Sequence, residues 1–203
     1  MKNISSLSEK SIEADPFKQF DKWYSERLKT EITYPDAVTL ATSTADGRVS
    51  ARTVLLKDFS LAGFVFFTNY NSKKGRQISQ NPRAAMLFYW PESGRQVRIE
   101  GMVEKVSGEE SEEYFRTRPR ESQIGAWASD QSNVIPDRAH LENKVAFFID
   151  KFSDKPVPRP PHWGGFRLVP EWMEFWQEGE FRLHDRIVYT KQDGSWIIER
   201  LSP

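Results

Sequence analysis

The sequence predicts a mainly β protein, an antiparallel barrel with helical additions. Three observations carry that prediction. Runs of β-type residues follow one another through short connections, helices enter late, and strands return at the end. That order has no βαβ alternation, which argues against a Rossmann fold. Asp46-Gly47 and Asp193-Gly194 each stand between two β-rich runs, the pattern of a tight hairpin. Aromatic residues are 13% of the chain while all hydrophobic residues are only 38%. Large rings bury much area each, so this modest apolar set can still fill a core or a subunit interface.

Taken in order, residues 1–14 are polar and are expected to form a flexible tail, with a single domain over 15–203. Asp15-Pro16 is a helix start, Asp as the cap and Pro at the first helical position. Phe17, Phe20, Trp23, Tyr24 and Leu28 then recur at helical spacing to about Thr30. AVTLATST, VSARTVLLK and GFVFFTNY read as strands. SKKGRQISQNP reads as a short helix ended by Asn81-Pro82. RAAMLFYW and RQVRIEGMVEKVS are two further strands joined by PESG. SGEESEEYFRTRP is a helix with acidic residues at its positive end. ESQIGAW and HLENKVAFFIDKF are two more helices, and PVPRPP is an extended connector. GGFRLVP, WMEFWQ, RLHDRIVY and SWIIERL are the closing strands.

The bulk numbers exclude several classes of function. Lys+Arg and Asp+Glu are both 29, so the net charge is zero and broad electrostatic binding to nucleic acid is not expected. There is no cysteine, which removes disulfides, thiol nucleophiles and cysteine–zinc sites. With three histidines (His140, His162, His184) no metal site is expected. No apolar run reaches about 18 residues, and the start has no apolar signal core, so a soluble cytoplasmic protein is expected.

Four constellations can carry chemistry. Ser72 as a cap puts Lys73 and Lys74 in the first turn of a helix, where cations oppose the dipole unless an anion sits there. Two solvated lysines on a surface turn is the competing reading. In SARTVLLKD, strand alternation separates Arg52 from Lys57; a bulge, an early strand end or two different tasks would each explain it. Tyr114 and Arg118 are four apart on a helix that Pro119 interrupts, with Ser122 just beyond, a set suited to a phosphate ester or simply a solvated face. Read as one strand, RLHDRIVY puts Arg182, His184 and Arg186 on one face and Asp185 on the other, with Glu174 available to neutralise one arginine.

Together these segments resemble the pyridoxine (pyridoxamine) 5′-phosphate oxidase family. The resemblance spans about residues 15–203 and rests on RTVLLK (52–57), FTNYNSKKGRQ (67–77), NPRAAMLFYW (81–90), RQVRIEG (95–101), EYFRTRPRESQIGAWAS (113–129), QS (131–132), PPHWGGFRLVP (160–170), EFWQ (174–177), RLHDRIVY (182–189) and the terminal ERLSP. It implies an FMN-binding split barrel, a homodimer, and two FMN sites across the dimer interface. It implies oxidation of pyridoxine or pyridoxamine 5′-phosphate to pyridoxal 5′-phosphate, by hydride transfer from the substrate 4′ carbon to flavin N5, with oxygen reduced to hydrogen peroxide. By resemblance, Arg52, Lys73 and Lys74 hold the FMN phosphate. Val54, Leu55, Phe67, Thr68, Gln96, Gln131, Ser132, Trp176 and Arg186 line the rest of the flavin. Lys57, counted with both ligands, joins Tyr114, Arg118 and Ser122 at the substrate phosphate. Arg182 and His184 are the catalytic pair that holds the pyridine ring. The glycine after Trp176-Gln177 stands one place later than the family pattern, so a reshaped loop is expected there. The competing readings are a split-barrel flavin oxidase of a phenazine precursor and a non-catalytic carrier of flavin or pyridoxal phosphate.

Overall fold

The computed structural model describes residues 6–30 and 32–203. In chain order the elements are α1 (Pro16–Leu28), β1 (Ala37–Ser43), β2 (Val49–Leu55), β3 (Asp58–Ser60), β4 (Gly63–Asn69), α2 (Lys73–Gln80), β5 (Arg83–Trp90) and β6 (Arg95–Lys105). Then come α3 (Gly108–Thr117), α4 (Arg120–Ala128), α5 (Arg138–Lys151), β7 (Trp163–Gln177), a 3-10 turn (Glu180–Arg182), β8 (Asp185–Gln192) and β9 (Ser195–Arg200).

The strand pairings are antiparallel throughout. The sheet runs β2-β1-β5-β6-β7-β4-β3, with β8 and then β9 added on β7. One edge of β7 pairs with β6 over residues 166–177. Its other edge is shared, residues 163–168 going to β4 and residues 172–177 to β8. The sheet therefore forks at β7, and the fork splits the barrel.

The expected separate strands GGFRLVP and WMEFWQ are one strand. Glu100 pairs with Trp172 and Gly101 with Pro170, so Glu171 is the extra residue of a bulge. A bulge is where a sheet tolerates a residue without an N–H, which is why Pro170 does not end the strand. A Cβ on Gly101 would lie 2.0 Å from the Val169 carbonyl oxygen, so only glycine lets β6 and β7 close there. β3 was not anticipated; three residues are too few for an alternation to register. The Asp193-Gly194 turn has both residues at positive φ (49° and 82°) and closes the β8–β9 hairpin in two residues.

Helix α1 plugs the barrel. The Asp15 carboxylate accepts from the Phe17 amide at 2.8 Å, and Pro16 follows as the first helical residue. Phe20 is fully buried, its ring centroid 4.9 Å from Phe59, 4.9 Å from Phe64 and 5.0 Å from Phe88. Leu28, expected on the same stripe, is exposed in the last turn. A second apolar cluster, with Phe115, Ile124, Phe152 and Trp163, joins α3, α4 and the end of α5 to the start of β7.

The tail expected over residues 1–14 has another character where it is described. Leu7 and Ile12 are buried in the main core. The Leu7 amide donates to Asp185 at 2.9 Å, and the Tyr189 hydroxyl donates to the Glu13 carbonyl at 2.5 Å. Glu9 pairs with Arg200 at 2.8 Å, and that guanidinium holds its carboxyl down at about 2. Two apolar side chains in a polar stretch are too few to show a periodicity, yet enough to seat it. No helix among the described residues is long and apolar enough to cross a membrane.

Candidate active site

A cleft of about 630 Å³ opens between the β2 and β4 strands, the start of α2 and the α3–α4 junction. It gathers Val54, Leu55, Lys57, Phe67, Thr68 and Lys74 from the barrel side. From the helical side come Tyr114, Arg118, Ser122 and Gln131. Most of the expected phosphate-binding residues thus meet in one place.

At the α2 end, the Ser72 hydroxyl caps the helix by accepting from the Gly75 amide at 3.3 Å. The Lys74 ammonium reaches Thr68 Oγ1 at 3.0 Å and Gln131 Oε1 at 2.8 Å. Arg52 lies on β2 beside Leu40, and its guanidinium donates to Thr42 Oγ1 at 2.6 Å and Ser50 Oγ at 2.6 Å. Burial, with the charge of Arg52 behind it, pushes Lys74 down to about 8. Burial also lowers Arg52. Among the described residues neither cation has a carboxylate within ion-pair distance. Two desolvated cations with hydroxyl and amide companions and a helix N-terminus fit a phosphate monoester such as that of a flavin mononucleotide. Lys73, expected here too, is exposed and does not line the cleft.

At the α3–α4 end, Arg118 lies over Trp163 at 4.6 Å from the ring centroid. Its Nη1 is buried with no hydrogen-bond partner, and burial lowers its pKa. A partnerless buried guanidinium nitrogen in a cleft is unfavourable until an acceptor arrives. Tyr114 stacks on Phe67 at 3.9 Å, and Ser122 is half-buried on α4. Tyr114 and Arg118 do not meet as helical neighbours. Pro119 pushes Arg118 out of the helix, to ψ 145°, and the cap conformation turns it into the cleft. Lys57 stands past the end of β2 and pairs with Asp36 at 2.6 Å. Of the explanations open for Arg52 and Lys57, the early strand end is the one observed.

The remaining expected residues form a second group. Gln96, Trp176 and Arg186 stand side by side across β6, β7 and β8. His184 lies 4.6 Å from Trp176, and its Nδ1 accepts from the Gly179 amide at 3.2 Å. The single strand face expected for Arg182, His184 and Arg186 does not exist, because β8 begins only at Asp185. Phe181 and Arg182 take positive φ (55° and 65°) in the 3-10 turn, and Arg182 is exposed. The loop folds back so closely that a Cβ on Gly179 would lie 2.1 Å from the Leu183 carbonyl oxygen. None of these residues lines the cleft. Trp163 and Trp176 mark the two places on β7, separated by roughly 40 Å of strand at about 3.3 Å per residue. Ser132 borders a small neighbouring hollow, which it shares with Gln131.

Gln77 and Thr42 were not anticipated. Buried Gln77 accepts from Thr42 Oγ1 at 2.7 Å and Ser50 Oγ at 2.8 Å, and so braces the groups that hold Arg52. The available signal was Thr42 itself, a polar residue in phase with buried Val38 and Leu40.

Comparison with known proteins adds the following. Residues 24–148 match the family described as pyridoxamine 5′-phosphate oxidase. Residues 163–203 match the pyridoxine 5′-phosphate oxidase C-terminal dimerisation region. The chain is 53% identical over 201 residues to the pyridoxine/pyridoxamine 5′-phosphate oxidase of Nostoc punctiforme, covering 98% of this chain and 94% of that one. It is 55% identical over 202 residues to the protein of the same name from Burkholderia multivorans, again covering 98% and 94%. PhzG from Burkholderia lata 383, solved with tetrahydrophenazine-1-carboxylic acid, superimposes with a TM-score of 0.91 at 30% identity, over 98% of this chain and 99% of that one. A pyridoxamine 5′-phosphate oxidase-related, FMN-binding protein of Nostoc punctiforme shares the fold, with a TM-score of 0.74 at 20% identity over 95% and 100%.

Proposed function

We propose residue roles from one premise: the chain belongs to the pyridoxine/pyridoxamine 5′-phosphate oxidase family. It is an FMN-dependent enzyme that oxidises pyridoxine and pyridoxamine 5′-phosphates to pyridoxal 5′-phosphate. When bound, FMN accepts the hydride from the substrate 4′ carbon and passes two electrons to oxygen, giving hydrogen peroxide.

Two copies of the chain complete each site, the cleft of one meeting the strand-end group of the other. The match of residues 163–203 to a dimerisation region supports this, since Trp176, Arg182, His184 and Arg186 all lie within it. Arg52 and Lys74 hold the flavin phosphate at the α2 start, and Lys73 adds charge from its exposed side. Val54, Leu55, Phe67, Thr68, Gln131 and Ser132 of the same copy flank the flavin, with Gln96, Trp176 and Arg186 also against it. Lys57, Tyr114, Arg118 and Ser122 hold the substrate phosphate. Arg182 of the partner subunit and His184 of the partner subunit cover the pyridine ring. A neutral His184 that accepts at Nδ1 carries its proton on Nε2, so it offers the ring a donor. Fixing two phosphates at opposite ends of one cleft sets the substrate against its oxidant, which is catalysis by positioning.

One observation carries the reading: two cations of the cleft lack anions, Lys74 at one end, with Arg52 behind it and outside the lining, and the partnerless Arg118 Nη1 at the other. A cofactor phosphate and a substrate phosphate satisfy both. The likeness to PhzG favours a second reading, oxidation of a phenazine-type acid. The higher identity to the phosphate oxidases and the meeting of Lys57, Tyr114, Arg118 and Ser122 favour the phosphate ester. Mixing the FMN-loaded protein with pyridoxine 5′-phosphate without oxygen tests it. The flavin absorbance is expected to bleach, then recover with pyridoxal phosphate when oxygen enters. A flavin that stays oxidised with both pyridoxine and pyridoxamine phosphates contradicts the assignment.

A further inference from the structure

Glu174 is a carboxylate in the middle of a sheet, its side chain only 1% exposed. Its register neighbours on β7's flanks are Arg98 on β6 and Val188 on β8. Such a group is unfavourable unless both oxygens are engaged. They are: Oε1 accepts from Arg186 Nε at 2.5 Å, and Oε2 accepts from Arg98 Nη1 at 3.0 Å. Arg98 also pairs with Glu100 at 2.6 Å and lies over Trp172 at 5.1 Å.

Arg186 is fixed at a second edge by the end of the chain. Its Nη1 donates to the Ser202 carbonyl at 3.0 Å, and the Leu201 amide donates back to the Arg186 carbonyl at 2.9 Å. Nε and Nη1 are therefore occupied, while Nη2 makes no protein hydrogen bond among the described residues. The guanidinium is held on two sides and leaves the Nη2 donor pair unengaged, on a residue whose register partner is Trp176. A planar fork held in this way presents one edge in one direction, which a free arginine with several rotatable bonds does not.

We propose that Glu174 is a positioning residue that orients Arg186 so that its Nη2 edge meets the flavin. The inference rests on the assignment of Arg186 to the flavin. It adds that affinity at this side of the site is set by a side chain that never touches the ligand. The carboxylate charge matters as well as its shape, because a neutral amide in its place holds Nε less strongly and also leaves Arg98 without its buried counter-charge.

The test is titration of free FMN into apo protein, followed by flavin fluorescence, with the visible spectrum of the bound flavin recorded. The set comprises wild type, Glu174→Gln, Arg186→Ala and the double variant. Arg186→Ala and Glu174→Gln are each expected to weaken FMN on the order of tenfold, and Glu174→Gln is expected to add nothing once Arg186 is gone. Glu174→Asp, which keeps the charge but shortens the reach, is expected to lose only several-fold, less than Glu174→Gln, and to keep the wild-type spectrum. If Glu174→Gln does not fold, Glu174→Asp carries the cycle, with a several-fold loss that vanishes in the Arg186→Ala background. Equal losses in both backgrounds overturn the proposal, since they mark a merely structural role. So does a Glu174→Gln protein that binds FMN like wild type while Arg186→Ala does not. If Arg186→Ala itself leaves FMN binding unchanged, the assignment of Arg186 to the flavin fails, and the proposal fails with it.

Discussion

The cleft and the strand-end group are built in opposite ways. At the α2 end of the cleft the cations are braced inside one chain: Lys74 by Thr68 and Gln131, and Arg52, behind it, by Thr42 and Ser50 with Gln77 supporting both. The strand-end group is open. Arg182 is exposed in a left-handed turn, and His184 rests on Trp176 and one backbone amide. Phosphates are gripped by rigid, desolvated cations, which need a finished pocket. The groups proposed for the pyridine ring lie on a loop that one chain leaves exposed, and the proposal brings a second chain's cleft to it.

That contrast can be broken by separating binding from turnover. Arg118→Ala is expected to have the largest effect, raising KM for pyridoxine 5′-phosphate so that kcat/KM falls roughly hundredfold or more, with FMN affinity unchanged. Steady-state kinetics beside FMN titration checks it, and a change in FMN affinity of similar size would merge the two ends of the cleft. Lys74→Ala should weaken FMN roughly tenfold to a hundredfold, as expected for one charge-assisted hydrogen-bonding group. His184→Ala should lower kcat roughly tenfold and leave FMN in place, since its proposed role is on the ring and not on a phosphate. Retention of full turnover would remove His184 from the site.

A pH dependence sharpens the electrostatic side. Lys74 has its pKa lowered from 10.5 to about 8, first by burial and then by Arg52. An anion there binds the protonated form, so FMN affinity should fall as pH rises above about 8, by up to roughly tenfold per pH unit. The sign for stability is the reverse. Holding this lysine charged is unfavourable in the folded apo protein, and the penalty fades between about 8 and the unfolded value of 10.5, so the apo chain gains stability across that window. FMN titration and thermal unfolding of the apo protein over pH 7 to 10 report the two trends, and parallel trends would contradict the assignment of the shift to Lys74.

Much of this was legible beforehand because it is local. The Asp15 and Ser72 caps, the Asp-Gly hairpins and the acidic start of α3 are set by neighbours in the chain. What escaped depends on contacts between distant segments. β7 looked like two strands because Pro170 reads as a breaker, until a bulge opposite Gly101 absorbs it. Arg182 looked like a strand residue because alternation cannot register a three-residue turn with two residues, Phe181 and Arg182, in the left-handed region. Gln77 lay inside a quoted motif, but its bracing role needs Thr42 from another strand. The two halves of the site were named together by resemblance, yet no spacing in the sequence shows that one chain keeps them at opposite ends of β7.

The central claim is that each site is completed by two chains, and subunit complementation tests it most directly. Arg118→Ala and His184→Ala with Arg182→Ala in a second chain should each have little activity alone. Mixed through unfolding and refolding, hybrids carry one intact site, formed by the unmutated cleft of one chain and the unmutated strand-end group of the other. The account predicts that isolated hybrids regain about half of the wild-type activity per dimer. Hybrids no more active than their parents would mean that the cleft and the strand-end group act within a single chain.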